Sequence, residues 1–257
     1  MSTPPVLRIV EREALVFARL WRGIAFSTFV APALFLGAIG VGLGGLVKAH
    51  TGAVDGLTYL DFVAPGLLVA SAMQLAASES LWPVLGGVKW MRQFHGVVAT
   101  PISPGQLYGG FVLWTALRSM LGAAAFLLVA ALLGAVPSAW GVLAIPAAGL
   151  CSAAFCALLA AYSIKLDSDL SFPMIMRLGV LPLFLFSGTF FPVSQLPSGL
   201  RPLALFSPLW HGVELARDAT TGTFDVAPVL AHIAVLVACI AVGASFGVRR
   251  FSRRLSP

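Results

Sequence analysis

Charge is what this sequence has least of. Only 10% of its 257 residues are Asp, Glu, Lys or Arg, against roughly a quarter in an average soluble domain. With 59% hydrophobic residues and a mean hydropathy of +0.95, that scarcity excludes a soluble globular chain and makes this an integral membrane protein. Lysine is scarcer still: Lys48, Lys89 and Lys165 follow Val47, Val88 and Ile164, so the Gly-Lys pair of a phosphate-binding loop does not occur and ATP has no such site here. The three cysteines, Cys151, Cys156 and Cys239, all fall inside apolar runs and read as small buried side chains rather than a disulfide or metal framework. The four histidines, His50, His95, His211 and His232, have no ligand spacing, and neither H-E-x-x-H nor C-x-x-C occurs. Paired carboxylates and a nucleophile beside a base are lacking too, so the residues offer no catalytic, cofactor-binding or metal-binding set.

What is present is a series of apolar runs near the ~20 residues that a membrane span needs. They predict an all-α bundle of six spans at 24–47, 60–82, 108–134, 139–163, 172–189 and 227–247, forming one transmembrane domain over 1–257. Residues 1–23 form an N-terminal segment before the 24–247 bundle, and 248–257 a basic tail. Leu7, Val10, Ala14, Phe17 and Trp21 recur at helical spacing opposite Arg8, Arg12 and Arg19. That pattern predicts a helix lying in the membrane interface, and a plain extension of the first span fits it equally. Four arginines ahead of so long an apolar run, with no small-x-small cleavage site, argue against a cleavable signal. An even number of spans puts both termini on one side. Arg8, Arg12, Arg19, Arg22, Lys89, Arg92, Lys165, Arg249, Arg250, Arg253 and Arg254 share that face, against Lys48, Arg201 and Arg217 on the other, which makes the termini cytoplasmic. The excess of positive charge (+6) flanks spans instead of gathering on one polar element, so it reads as topology and not as a nucleic-acid surface.

Two motifs match by form only. "GVGLGG", Gly40 to Gly45, lies in an apolar run without the strand that a dinucleotide site requires, and Gly37, Gly40 and Gly44 make a small-residue face for another helix. "GASFG", Gly243 to Gly247, stands in the last span where no strand-to-helix elbow forms, and reads as a small-residue packing surface. Glu79 and Arg118 are charges inside spans. By their offsets along spans two and three they stand too far apart vertically to pair, which leaves a lining or switching role, or satisfaction by backbone carbonyls and water. Two connections, 83–107 and 190–225, are too long for turns and are expected to carry structure.

The runs "YLDFVAPGLLVASAMQLAASES", "VVATPISPGQLYGGFVLWTALR", "LFLFSGTFFPVSQLP" and "SPLWHGVELAR" resemble, in this order and over nearly the whole chain, the permease subunits of ABC-2 type exporters. The nearest branch holds the nodulation-factor exporter permeases with drug- and polysaccharide-exporting relatives. The resemblance implies a half-transporter in the bacterial inner membrane, working as a pair of permeases with two separate ATPase subunits that supply ATP and Mg. It implies a coupling helix in Gly87 to Ala99, with Lys89, Trp90, Met91, Arg92, Gln93 and Phe94 meeting the ATPase and Pro83, Pro101 and Pro104 fixing the chain path; an interfacial loop is the other reading of that segment. It implies a cargo path where spans one and five meet, lined or gated by Gly37, Gly40, Gly44, Phe184, Phe186, Phe190 and Phe191, though each of these phenylalanines equally suits lipid or a neighbouring helix. Re-entrant helices at 190–223, broken at Pro192, Pro197, Pro202 and Pro208, would include Leu209 and the i, i+3 pair Glu214 and Arg217. Charged substitution at Phe191 or Leu209 is then expected to impair export more than expression. The cargo expected on this reading is hydrophobic, lipid-linked, or glycan- or drug-like. An ion-coupled secondary transporter using Glu79 and Arg118 is the alternative class.

Overall fold

A computed structural model describes residues 4–38 and 56–256, with the backbone alone for residues 20–29, 31 and 32. Among them the chain is helical, without strands. Helix α1, Pro5–Ala38, runs unbroken through the boundary expected near residue 23, so the basic N-terminal segment and the start of the first span are one rod. Gly40 and Gly44 lie outside the described residues. Next come α2, Tyr59–Val88; the short α3, Gln93–Val98; and α4, Pro104–Leu132. A 3-10 turn, Ala139–Leu143, leads into α5, Ala144–Ser163. Helix α6 covers Phe172–Phe186, with its middle six residues, Ile175–Val180, wound as a π-helix. The small α7, Arg201–Leu205, precedes α8, Pro208–Thr221, and α9, Val226–Leu255.

Local chemistry sets the starts of these helices. Thr58 caps α2 by accepting from the Asp61 amide, and Asp225 caps α9 by accepting from that of Ala227. Ser103 and Gln106 satisfy one another's amides in a capping box with Pro104 at the first helical position of α4.

Among the described residues, four helical segments are long and apolar enough to cross a membrane: Tyr59–Val88, Pro104–Leu132, Ala139–Ser163 and Val226–Leu255. They carry expected spans two, three, four and six. The fifth differs. It ends at Phe186 instead of residue 189, and its 15 residues rise roughly 22 Å, short of the ~30 Å hydrocarbon core. The chain turns at Ser187 and at Gly188, whose φ of +79° is open to glycine at no steric cost.

In lipid, apolar area gives helices little reason to prefer one another, so close approach through small residues holds the bundle together. Helix α5 is its axis. Ala148, Cys151, Ala154, Cys156, Ala157 and Ala160 are completely buried, with α2, α4, α8 and α9 packed around them. Helix α1 lies along α4, where Ile9 fills the space above Gly110. On α9, the two glycines of "GASFG" receive the Ala157 backbone and the Tyr108 ring, which is the packing surface the sequence suggests. The Tyr108 hydroxyl donates to the Ala157 carbonyl at 2.9 Å, tying α4 to α5 directly beneath α9.

A methyl group at Gly247 would overlap the Tyr108 ring, and that ring is held by its hydrogen bond. Gly247→Ala is expected to cost about 1–3 kcal/mol through overpacking, read as a lower unfolding midpoint of the purified protein in detergent. Gly109→Ala, with nothing within 4 Å of the added carbon, should leave the midpoint unchanged or raise it.

Candidate functional site

The N-terminal helix, the turn after α2, the connection after α5 and the C-terminal end of α9 converge at one basic end of the bundle. Helix α2 does not stop at Pro83, as the expected loop boundary has it, but continues through that proline to Val88. The Lys89 amide closes the last turn on Leu85, and the Trp90 and Met91 amides both bond to the Gly86 carbonyl. Arg92 then adopts a left-handed conformation, φ 51°, alone among the described non-glycine residues. This costs about 1–2 kcal/mol and reverses the chain into α3.

What offsets that strain is Phe94. It is 3% exposed, its ring lies over Gly87 where a Cβ would come within 2.8 Å, and it packs edge-on to Phe111 and against Phe251. Phe94 therefore anchors the turn inward and presents nothing at the surface. Gln93 is half-buried and accepts from the Arg12 guanidinium of α1 at 2.9 Å. Lys89 bonds to the Asp167 carbonyl and pairs with its carboxylate at 3.2 Å, and Arg254 of α9 reaches the same carboxylate at 2.6 Å. Hydrogen bonds from Arg254 first and then Lys89, reinforced by their charges, hold the Asp167 carboxyl below the usual carboxylate range. A carboxyl so depressed keeps its charge, and the clasp, above about pH 4; the contribution is lost as pH falls through the lowered value. Of the six expected docking residues, Trp90 (59% exposed), Met91 (66%) and Arg92 remain as the free outer face. Arg12 and the Asp167 clasp escaped the sequence reading, because their partners lie about 80 positions away and no local pattern marks them.

Midway along the bundle the expected separation of Glu79 and Arg118 is overturned. Arg118 Nη1 pairs with Glu79 Oε1 at 2.5 Å, and the guanidinium lies 5.8 Å from the centre of the Phe17 ring of α1. The offset shrinks because α4 starts at Pro104 instead of 108 and α2 ends at Val88 instead of 82. Counted from the basic end, the two residues differ by about five positions, roughly 7.5 Å of rise, which two long side chains span. Beside them Ser119 and Ser152 share a buried hydrogen bond of 2.6 Å, so the polar groups at this depth satisfy one another.

At the opposite end, the Ser187-Gly188-Thr189 turn is not a surface loop. Ser187 and Thr189 are completely buried, and Gly66 of α2 has no Cβ because the Thr189 backbone occupies that space at 2.9 Å. Ser187 donates to Ser207 Oγ at 3.1 Å. Arg217 donates to the Gly188 carbonyl at 2.7 Å, pairs with Glu214 at 2.6 Å and stacks 4.0 Å from the Phe62 ring centre. The i, i+3 pair is thus formed, and it fastens α2, the turn and α8 together. Arg201 donates to the Leu196 carbonyl at 2.9 Å and also bonds the Ser194 carbonyl, closing the short 3-10 turn Val193–Gln195.

Pro202 and Pro208 start helices α7 and α8 within their first turns and do not break one. Phe184 meets Phe190 edge-on at 5.2 Å, and Phe186 meets Phe191 at 6.4 Å; all four rings are half-buried. Gly37 has open space around it. The structure thus brings Phe184, Phe186, Phe190 and Phe191 together at the end of α6. Leu209 is completely buried under α8, so a charge there strikes the core before it touches any gate.

Comparison with known proteins agrees with this geometry. Residues 6–220 match the family profile described as ABC-2 type transporter. Nodulation protein J of Rhizobium leguminosarum bv. viciae is 30% identical over 249 residues, covering 97% of this chain and 94% of that one. The protein of the same name from Rhizobium meliloti is 27% identical over 92% of this chain and 90% of its own. That from Bradyrhizobium diazoefficiens is 31% identical over 77% and 75%.

Two outcomes test the placements. Leu209→Asp should sharply reduce accumulation in the membrane, while Phe191→Asp, on a half-buried ring, should accumulate near the unsubstituted level; immunoblots of membrane fractions compare them. Arg118→Met strands Glu79 and should cost on the order of 1–3 kcal/mol in detergent unfolding, much of it recovered in the Glu79→Gln, Arg118→Met double variant.

Proposed function

The chain belongs to the ABC-2 type transporter family, and from that premise we propose that it is the membrane-spanning permease subunit of an ATP-driven exporter, carrying a hydrophobic, lipid-linked, or glycan- or drug-like compound out of the cytoplasm. ATP and Mg belong to a separate ATPase subunit, so this chain is not itself an enzyme. Two permease copies work with two ATPase subunits in a bacterial inner membrane, with the basic end and both termini in the cytoplasm.

The observation that carries this reading is the turn at Trp90, Met91 and Arg92. An exposed Trp beside an Arg is a composition that protein interfaces favour as anchors. Here it stands on a support that moves with the bundle: Phe94 in the core, Lys89 on Asp167, Gln93 on Arg12. A partner that closes on this turn can displace α2, α4 and α9 together, which is what transmission of an ATP-driven motion requires. Between α1 and α3 a cleft of about 330 Å³, lined by Arg8, Ile9, Arg12 and Val97 among others, combines basic and apolar walls and suits lipid headgroups beside the turn.

The cargo path runs along α6 where it faces the second copy. Met174, Leu178, Leu181 and Leu185 form an exposed apolar stripe on that helix, next to the paired phenylalanines that act as the outer gate. Small and aromatic surfaces suit an amphipathic cargo, in keeping with relatives whose name ties them to nodulation. The ion-coupled alternative asks Glu79 and Arg118 to exchange protons or ions, whereas they are closed on one another at 2.5 Å.

Trp90→Ala with Arg92→Ala should abolish co-purification with the ATPase and substrate-stimulated ATP hydrolysis in vesicles, while membrane insertion stays unchanged. Undiminished co-purification of the double variant would remove the docking assignment. Failure of the unsubstituted chain to associate with any ATPase would remove the exporter reading itself.

A further inference from the structure

Two of the four histidines, 21 positions apart and on different helices, meet inside the protein. His211 of α8 and His232 of α9 are each 8% exposed, and their Nδ1 atoms stand 2.7 Å apart. The Trp210 ring covers both, at 4.8 Å from His211 and 5.0 Å from His232. We propose that this imidazole pair is a proton-binding site that clasps α8 to α9, holding the outer helix down when the pair shares a proton between its facing nitrogens and releasing it in acid.

At 2.7 Å the line between two Nδ1 atoms has room for one hydrogen, donated by one ring and accepted by the other. The closed pair therefore accommodates neutral imidazoles, or one extra proton shared between them. Two imidazolium rings facing across that distance would set like charges against each other under a tryptophan, away from water. With α8 lifted, both rings reach solvent, and each titrates near the ordinary histidine value of about 6.5. The opened form thus binds one more proton than the closed form. Opening is favoured as pH falls, and docking is strengthened as pH rises.

Among the described residues, Glu214 is the carboxylate that favours a charged His211, and it is engaged elsewhere. On α8, Glu214 is already paired with Arg217 at 2.6 Å, and Asp218 lies two turns along from His211. On α5 the Cys151 thiol lies against Gly212, beside His211, and is directed at the Pro208 carbonyl. From α2 the facing group is Val69, against Gly212, and from α7 the Leu205 carbonyl, bonded to His211. The clasp acts on α8, which Arg217 fastens to the turn that follows the phenylalanines proposed above as the outer gate; its role in export rests on that reading, but its test reads helix docking alone.

The experiment is hydrogen exchange of residues 208–221 in the full chain, reconstituted in nanodiscs, between pH 7.5 and 5.5, with rates corrected for the intrinsic pH dependence of exchange. One additional proton on the open form predicts about a tenfold loss of protection across the range. Replacing both rings, His211→Gln with His232→Phe, should make protection independent of pH, and Asp218→Asn should leave the step in place. Flat protection in the unsubstituted chain would overturn the proposal. So would a step that disappears in Asp218→Asn, a comparison that does not need the histidine variant to fold.

Discussion

The structure depends on close approach of backbone to side chain in a medium where apolar area is worth little between helices. Three glycines show how that constraint serves the working parts. Gly66 lets the Ser187-Gly188-Thr189 turn press into α2, Gly87 seats the Phe94 ring, and Gly247 receives Tyr108. Each stands where a segment outside the main spans, or the last helix, joins the bundle, and in each the missing Cβ decides whether the joint closes. Polar groups then fix what the contacts allow. Arg217 collects the turn, α8 and the face of Phe62, while Asp167 collects Lys89 and Arg254. Exposed ion pairs such as those of Asp167 are individually weak, so the direction of the turn at Trp90, Met91 and Arg92 comes mainly from Phe94, with the charges setting its register.

Much of the bundle was legible in the sequence because hydropathy reports lipid directly. The runs at 60–82, 108–134, 139–163 and 227–247 lie on four long helices, and Glu214 and Arg217 pair as their spacing within one helix implies. What escaped was whatever depends on where helices end or on how two of them meet. Proline misled at Pro83, since a helix packed among neighbours tolerates it, and the misplaced end of α2 hid the contact of Glu79 with Arg118. Phe94 looked like a surface anchor because its neighbours Trp90 and Arg92 are exposed. Only the reversal at Arg92, a left-handed position that sequence does not announce, turns it inward. The histidines looked scattered because ligand spacing is sought along one chain segment, and this contact joins two helices.

The two ends of the molecule are not independent. Helix α2 holds the turn at Trp90, Met91 and Arg92 through Gly86 and Gly87 at its basic end, and the Ser187-Gly188-Thr189 turn and Arg217 through Gly66 and Phe62 near its other end, across roughly 35 Å of helix. Helix α9 does the same by other means, with Phe251 against Phe94 at one end and His232 against His211 at the other. Between them stands α5, buried along most of its length and in contact with both. Two struts fastened at both ends to the same two small elements, with an incompressible helix between them, transmit tilt better than they absorb it. A force applied at Trp90 to Arg92 therefore reaches α8 along two routes. The routes differ in chemistry: the α2 route ends on a guanidinium whose charge does not titrate, whereas the α9 route ends on imidazoles, which can. The permanent link fixes where α8 sits relative to α2, and the titratable link sets how firmly it is held against α9.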